Sequence, residues 1–428
     1  MTYQESLDYL YGLQKFGIKL GLENIRAFLS RLGHPESRFK TVLVAGTNGK
    51  GSTASALAGI LTQSGYRTGL YTSPHLHSFC ERVRIDGEPI PESSITELVA
   101  EMQAHVDSIP LTFFEFTTAL ALRFFAENEV DIAILEVGLG GRLDATNAIK
   151  PILSVITPIA RDHEQYLGDN LAQIAREKAG IMRAGVPIVS ARQEPEAETA
   201  LYDVAQTVGT KVVLAGREYQ FIDHVDQFDY VGIHATVNGL HPGIPGRHQF
   251  GNMATALAAA EMLKPAGFAV SVAAMRAGVE RLAWPGRLEW LGNGSVLLDG
   301  AHNGAGASAL AAYLAEQNIN NVHWIVGVKA DKNSDEILAP VLPHAKAIYC
   351  VEPPVEEAVP TEKLRLAGEQ AGLTAKSFVS ISAALQQARY AAGEGGVVLV
   401  AGSLFLVAAV RELILQEESR QCDTSVFS

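Results

Sequence analysis

Apolar and polar positions alternate in blocks along this chain. Two amphipathic helices fill the first forty residues; the second carries Leu22, Ile25, Phe28, Leu29 and Leu32 at helical spacing, with Gly33 as its stop. A short apolar run, TVLVAG (41–46), follows and predicts a strand buried on both faces. It leads through TNGKGS into a helical pattern from Ser52 to about Ser64. Next come RTGLYT, a hairpin turning at Asp86-Gly87, and helices near 94–106 and 115–128. Two further buried strands, DIAILEVG (131–138) and ILSVIT (152–157), end in a glycine-rich loop and at Pro158. Strands alternating with helices predict a parallel sheet, in which ligands gather at the carboxyl ends of the strands.

The stretch from about 215 to 250 is richer in Tyr, His, Gly and Pro, and predicts a small β-rich excursion. A second alternating block starts near Arg287, with strands SVLLDG (295–300), VHWIVGV (322–328), AKAIYCV (345–351) and VVLVAG (397–402). A chain of 428 residues exceeds one ordinary core. The division is expected at Trp284-Pro285-Gly286, giving domains 1–285 and 286–428. The polar end, QEESRQCDTSVFS, is expected to fray.

Charge and cysteine use narrow the function. Thirty-four basic against 47 acidic residues leave −13, which argues against non-specific nucleic-acid binding but allows a local basic pocket for an anion. Cys80, Cys350 and Cys422 are far apart and fit neither a metal spacing nor a disulfide framework. The start has no secretion signal, and the apolar stretch 397–410 is short for a membrane span and broken by Gly402-Ser403. A cytoplasmic protein is expected, with no membrane partner.

GTNGKGS lies between a strand and a helix. Its glycines let backbone N–H groups approach phosphates, the helix start favours negative charge, and Lys50 adds a mobile cation. The spacing departs from GxxxxGK[ST], yet a lysine between two glycines after a buried strand has no packing rationale. This predicts a nucleoside triphosphate site and leaves the nucleotide and the acceptor open. Glu136, at the end of an apolar run, is a carboxylate that needs a cation, and magnesium takes hard oxygen ligands of this type. His163 and Ser73 follow other strand ends and are further candidates for that site; alone, each reads as a loop residue. Lys178, on a helix downstream of His163, would by itself be an exposed charge.

GTNGKGS, YTSPHL, LTFFE, ILEVGLGGRLDATN, DHEQYLG, REKAGI, PGRLE and LLDGAHN occur in one order. From about residue 20 to residue 411, that order resembles the folylpolyglutamate synthase and dihydrofolate synthase family, within the wider Mur ligase superfamily. The resemblance implies an α/β fold: an N-terminal P-loop ATPase-like domain with a mainly parallel sheet, plus a smaller C-terminal Rossmann-like domain that closes over the nucleotide. By similarity, Gly46, Thr47, Asn48, Gly49, Lys50, Gly51 and Ser52 hold the ATP phosphates, with Asn252, Arg287 and Asp299 as further contacts. Ser73, Glu136 and His163 serve magnesium. Lys178 matches the lysine that family members carbamylate, which would let it hold a second magnesium. Thr112, Phe113, Phe114 and Glu115, with Leu143, Asp144 and Ala145, match the pterin-substrate positions.

The chemistry implied is transfer of the γ-phosphoryl group of ATP to a carboxylate, followed by attack of the glutamate amine on the acyl phosphate. Such transfer needs positioning and charge neutralisation, which Lys50, magnesium and the loop amides fit. His302, beside Asp299, is a candidate to assist. In LTFFEF, apolar and aromatic side chains suit a flat pterin ring, although at least two of Phe113, Phe114 and Phe116 are expected in the core. A peptidoglycan-precursor ligase would need an N-terminal UDP-sugar domain, and a phosphate loop at residue 46 leaves room for only two helices. A regulatory NTPase would not need LGGRLDATN and DGAHN. Thr112, Glu115 and Asp144 match the bifunctional bacterial pattern, so dihydropteroate, reduced folates and L-glutamate are the expected substrates. Potassium activation is left open, and a monomer is expected.

Overall fold

The structure is a computed structural model that describes residues 1–17 and 21–425, with the backbone alone for Phe16 and 421–425. The chain divides into two compact units: the first spans 1–160, 164–243 and 249–282, and the second 161–163, 244–248 and 283 onward. Two short segments, 161–163 and 244–248, therefore leave the block in which the sequence places them.

The first unit is built on an eight-stranded sheet. Its strands are β1 (Lys40–Ala45), β2 (Thr68–Tyr71), β3 (Val83–Ile85), β4 (Glu88–Pro89), β5 (Ile132–Glu136), β6 (Leu153–Ile156), β7 (Ile188–Ser190) and β8 (Val212–Leu214). They run in the order β4-β3-β2-β5-β1-β6-β7-β8, parallel except for the β2–β3–β4 hairpin edge. Strand β1 lies centrally between β5 and β6, which explains its unbroken apolar run: helices cover both faces of such a sheet. Leu43, Leu135 and Ile156 are fully buried and share a core with Phe116 and Phe125 of the helix Phe113–Glu127. The expected β excursion is an antiparallel sheet of β9 (Gln220–Asp223), β10 (Phe228–Val231) and β11 (Thr236–Leu240). Buried Glu261 ties it down by accepting from the Tyr230 hydroxyl at 2.7 Å and from the N–H groups of Ile233 and His234.

The second unit holds a six-stranded sheet of β12 (Glu289–Leu291), β13 (Val296–Leu298), β14 (Val322–Val326), β15 (Ala345–Cys350), β16 (Thr374–Ser377) and β17 (Val398–Ala401). The order is β12-β13-β17-β14-β15-β16, parallel except at β12. Leu297, Trp324, Ile348 and Leu399 form its core. The expected frayed end is instead helical as far as Ser425; residues 426–428 lie outside the described residues. Within this helix Glu417 accepts from Arg389 at 2.6 Å and Glu418 from the Gly292 N–H at 3.2 Å. No described helix is long and apolar enough to cross a membrane. Cys80 and Cys350 are free and buried.

Candidate active site

The phosphate loop leaves β1 at its carboxyl end and enters the helix Lys50–Gln63 through Gly49. Gly49 has φ +81°, and a Cβ there would lie 2.3 Å from Asn252 Oδ1, so only glycine fits. This contact places Asn252, held by Gln249 at 2.8 Å, against the loop. Backbone N–H groups of Thr47 and Asn48 donate to Pro158 O at 3.0 and 3.3 Å. Two ammonium groups converge on the Gly46 carbonyl: Lys50 Nζ at 3.3 Å and Lys178 Nζ at 2.8 Å. Lys178 is only 4% exposed, so it is a buried group backing the loop and not the surface charge that a lone helical lysine would be.

Glu136 ends β5, directly beside β1, and is 5% exposed. Its Oε2 accepts the Ser73 N–H at 3.0 Å, which brings together two of the three residues expected at the metal. The third, His163, belongs to the second unit. There its Nε2 lies 3.3 Å from Lys332 Nζ and its Nδ1 lies 3.9 Å from Asp331. Among the described residues no group of three or more His, Cys, Asp or Glu side chains is arranged around a metal position. A buried hard carboxylate of this kind fits magnesium, which takes few protein ligands and draws the rest from phosphate and water.

Thr112 and Glu115 are buried and spend their polar atoms on each other. The Thr112 hydroxyl and N–H donate to Glu115 Oε2 at 2.9 and 2.8 Å, and the Glu115 N–H donates back to Thr112 Oγ1 at 3.2 Å. This capping box starts the helix that carries the phenylalanines. Phe116 is fully buried, while Phe113 and Phe114 are half-buried and lean on the core. Phe114 lies over Gly138, where a Cβ would meet Cζ at 2.6 Å, and 5.9 Å from the Tyr71 ring. Asp144 likewise braces the loop: it accepts from the N–H groups of Gly138 and Leu139 at 3.0 and 2.9 Å and from Thr146. Burial raises its pKa, and these donors oppose the rise. Ala145 is buried and Leu143 half-buried in that loop.

In the second unit Asp299 follows β13. Burial raises its pKa, while Arg287 and the N–H groups of Leu288 (3.0 Å) and Ala301 (2.9 Å) lower it. His302 donates from Nδ1 to the Gly300 carbonyl at 2.8 Å. Burial, with Lys332 nearby, moves it down to about 4, so it is neutral at pH 7 with Nε2 as an acceptor. Asp162 lies 3.8 Å from that nitrogen, pairs with Lys332, and accepts from Asn303 at 3.1 Å. Burial alone would raise Asp162, but His163, Lys332 and His302 hold it well below the carboxylate range.

Residues 44–260 match the family described as Mur ligase middle domain, and residues 286–404 match the Mur ligase glutamate ligase domain. Dihydrofolate synthase/folylpolyglutamate synthase of Bacillus subtilis is 34% identical over 96% of this chain and 99% of its own length. The chain belongs to the dihydrofolate synthase/folylpolyglutamate synthase family of Mur ligases. It is similar to Escherichia coli FolC in complex with DHPP and ADP, at 36% identity and TM-score 0.90, covering 98% of this chain and 99% of that one. The Yersinia pestis bifunctional enzyme complexed with AMPPNP and Mn ion is 34% identical, with TM-score 0.87 over 96% and 98%. A Haloferax volcanii relative, a probable bifunctional folylpolyglutamate synthase/dihydropteroate synthase, is 35% identical over 96% of this chain. The chain spans half of that relative's length.

This family membership makes the chain an ATP-dependent ligase of α/β architecture. Its sequence motifs do not mark Lys332, Asp331 or Asn303, which crowd around segment 161–163, nor Arg82, which is packed among the aromatic residues of the first unit. Lys332 sits in the polar stretch KADKNSDE, where lysine ordinarily faces solvent, so only the fold reveals its burial.

Proposed function

We propose that the chain joins L-glutamate to dihydropteroate, forming dihydrofolate, and to reduced folates, forming folylpolyglutamates. The observation that carries this reading is the convergence of Lys50 and Lys178 on Gly46, one strand away from Glu136. That arrangement suits a triphosphate and its cation beside a substrate carboxylate.

In the proposed reaction a carboxylate oxygen attacks the γ-phosphorus, the bond to ADP breaks, and an acyl phosphate forms. The glutamate amine then attacks the acyl carbon, phosphate leaves with the former carboxylate oxygen, and the amine loses a proton. Lys50 and the loop N–H groups neutralise charge on the transferring phosphoryl group. Glu136 and Ser73 are the residues that would hold magnesium in the first unit, and the ion would supply further charge neutralisation there. Whether one or two ions act is tied to Lys178. Carbamylation would turn its buried ammonium into an anion, and a ¹³C carbamate signal after exposure to labelled bicarbonate tests this. Phe113, Phe114 and Leu143 offer apolar surface to the pteroyl group, and Thr112, Glu115, Asp144 and Ala145 set the position of that surface. Neutral His302 offers Nε2 to the proton of the glutamate ammonium. Asn252, against Gly49 of the loop, is a further nucleotide contact in the first unit. The protein acts as a monomer, checked by sedimentation, and potassium dependence is read by replacing it with sodium.

Assaying the purified protein separately with dihydropteroate and with a tetrahydrofolate, each with ATP and glutamate, tests the reading. Glutamate-dependent ADP release with both supports the two activities. Release with the tetrahydrofolate alone reduces the enzyme to a folylpolyglutamate synthase.

A further inference from the structure

Arg82 has no part in the chemistry above. It ends the short helix Phe79–Arg82 ahead of β3 and is 8% exposed. Its Nε–H donates to His75 Nδ1 at 2.7 Å. The guanidinium carbon lies 5.2 Å from the Phe113 ring centre and 5.9 Å from that of Phe79, and Phe113 stacks on Tyr11 at 5.7 Å. The contacts of its guanidinium are that bond to His75 and the two ring faces. Burial lowers its pKa, and Tyr71, Tyr11, Glu136 and Glu81 oppose this.

A guanidinium taken out of water ordinarily has a charged partner, because desolvation is costly and ring faces recover only part of it. One bond to the His75 ring uses one of its five N–H groups, and the fork geometry of arginine matches a carboxylate. The rings that frame it include Phe113, part of the wall assigned above to the pteroyl group. We propose that Arg82 is the carboxylate-recognition residue of the pteroyl-substrate site. This rests on the function proposed above. Dihydropteroate has a single carboxylate, the one activated, whereas a folate monoglutamate adds an α-carboxylate that does not react. Arg82 takes one of these two.

The test compares wild type, Arg82→Met and Arg82→Lys for the KM of dihydropteroate and of a tetrahydrofolate, with ATP affinity measured alone as the check on folding. Arg82→Met should raise the KM for at least one substrate by about 10–100-fold, the loss expected for a charged hydrogen-bonded contact. Arg82→Lys should recover part of it, and ATP affinity should stay within about twofold of wild type. A rise with both substrates assigns the reacting carboxylate; a rise with the tetrahydrofolate alone assigns the α-carboxylate. Unchanged KM for both, with ATP binding intact, overturns the proposal. If Arg82→Met does not bind ATP, wild-type affinities for dihydropteroate and for a tetrahydrofolate are compared with those for the analogues that lack the reacting carboxylate and the α-carboxylate respectively, and equal affinities in both pairs overturn it. A wild-type enzyme that turns over neither substrate would refute the proposed function instead.

Discussion

Lys178 Nζ donates to the Gly46 carbonyl oxygen at 2.8 Å, and Lys50 reaches the same oxygen at 3.3 Å. The two cations have different jobs. Lys178 is buried and holds the loop from behind, whereas Lys50 stands at the first turn of the helix that follows the loop.

Removing each lysine should therefore give a different signature. Lys50→Ala is expected to lower kcat by about 10²–10³-fold with little change in the urea midpoint, since one aimed charge is lost from the transfer step. Lys178→Ala also leaves a buried carbonyl without that donor and should cost about 1–3 kcal/mol of stability. Steady-state kinetics and urea denaturation on both variants check this. A Lys50→Ala enzyme with wild-type kcat would remove the loop from the chemistry.

Glu136→Gln keeps an oxygen for the Ser73 N–H but discards the charge. The magnesium concentration for half-maximal activity should rise at least about tenfold, as loss of an anionic ligand implies, while the metal-free melting temperature hardly moves. Magnesium titrations read the first and thermal melts the second. An unchanged magnesium requirement would put the metal elsewhere.

Thr112→Ala opens the capping box that starts the helix Phe113–Glu127. A loss of about 1 kcal/mol in stability is expected. Because Phe113 and Phe114 are the next two residues, the KM for dihydropteroate should rise while that for ATP holds. Parallel rises in both would mean a general loss of fold.

Much of this was legible in the sequence where one residue type alone satisfies the backbone or the chemistry. Gly49 needs φ +81° with no Cβ, and Glu136 ends an apolar strand, so both announce themselves. Strands β7, β8, β12 and β16 have only three or four residues and carry no usable periodicity; β16 is an edge strand, largely exposed. Arg82 beside Val83 reads as an exposed hairpin charge, because its burial comes from Phe79 and from Phe113, a residue distant in sequence. The place of segment 161–163 depends on Lys332 and Asn303, which no local pattern near His163 foretells.

His302 carries a pH signature. Its folded-state ionisation near 4 lies below the 6.5 of a free histidine, so between these values the unfolded chain takes up a proton that the folded one refuses. Its contribution to stability is present above pH 6.5 and is lost as pH falls toward about 4. The stability gap between wild type and His302→Gln should therefore be wider at neutral pH than in mild acid. Urea midpoints across that range measure it, and a gap independent of pH would contradict the assignment.

In the proposed reaction a pteroyl carboxylate is phosphorylated before glutamate is joined to it. Dihydropteroate labelled with ¹⁸O in its carboxylate, turned over with ATP and L-glutamate, tests this directly. One labelled oxygen is expected in the inorganic phosphate for each dihydrofolate formed. Phosphate released without label, or released at the same rate when dihydropteroate or glutamate is left out, would contradict it.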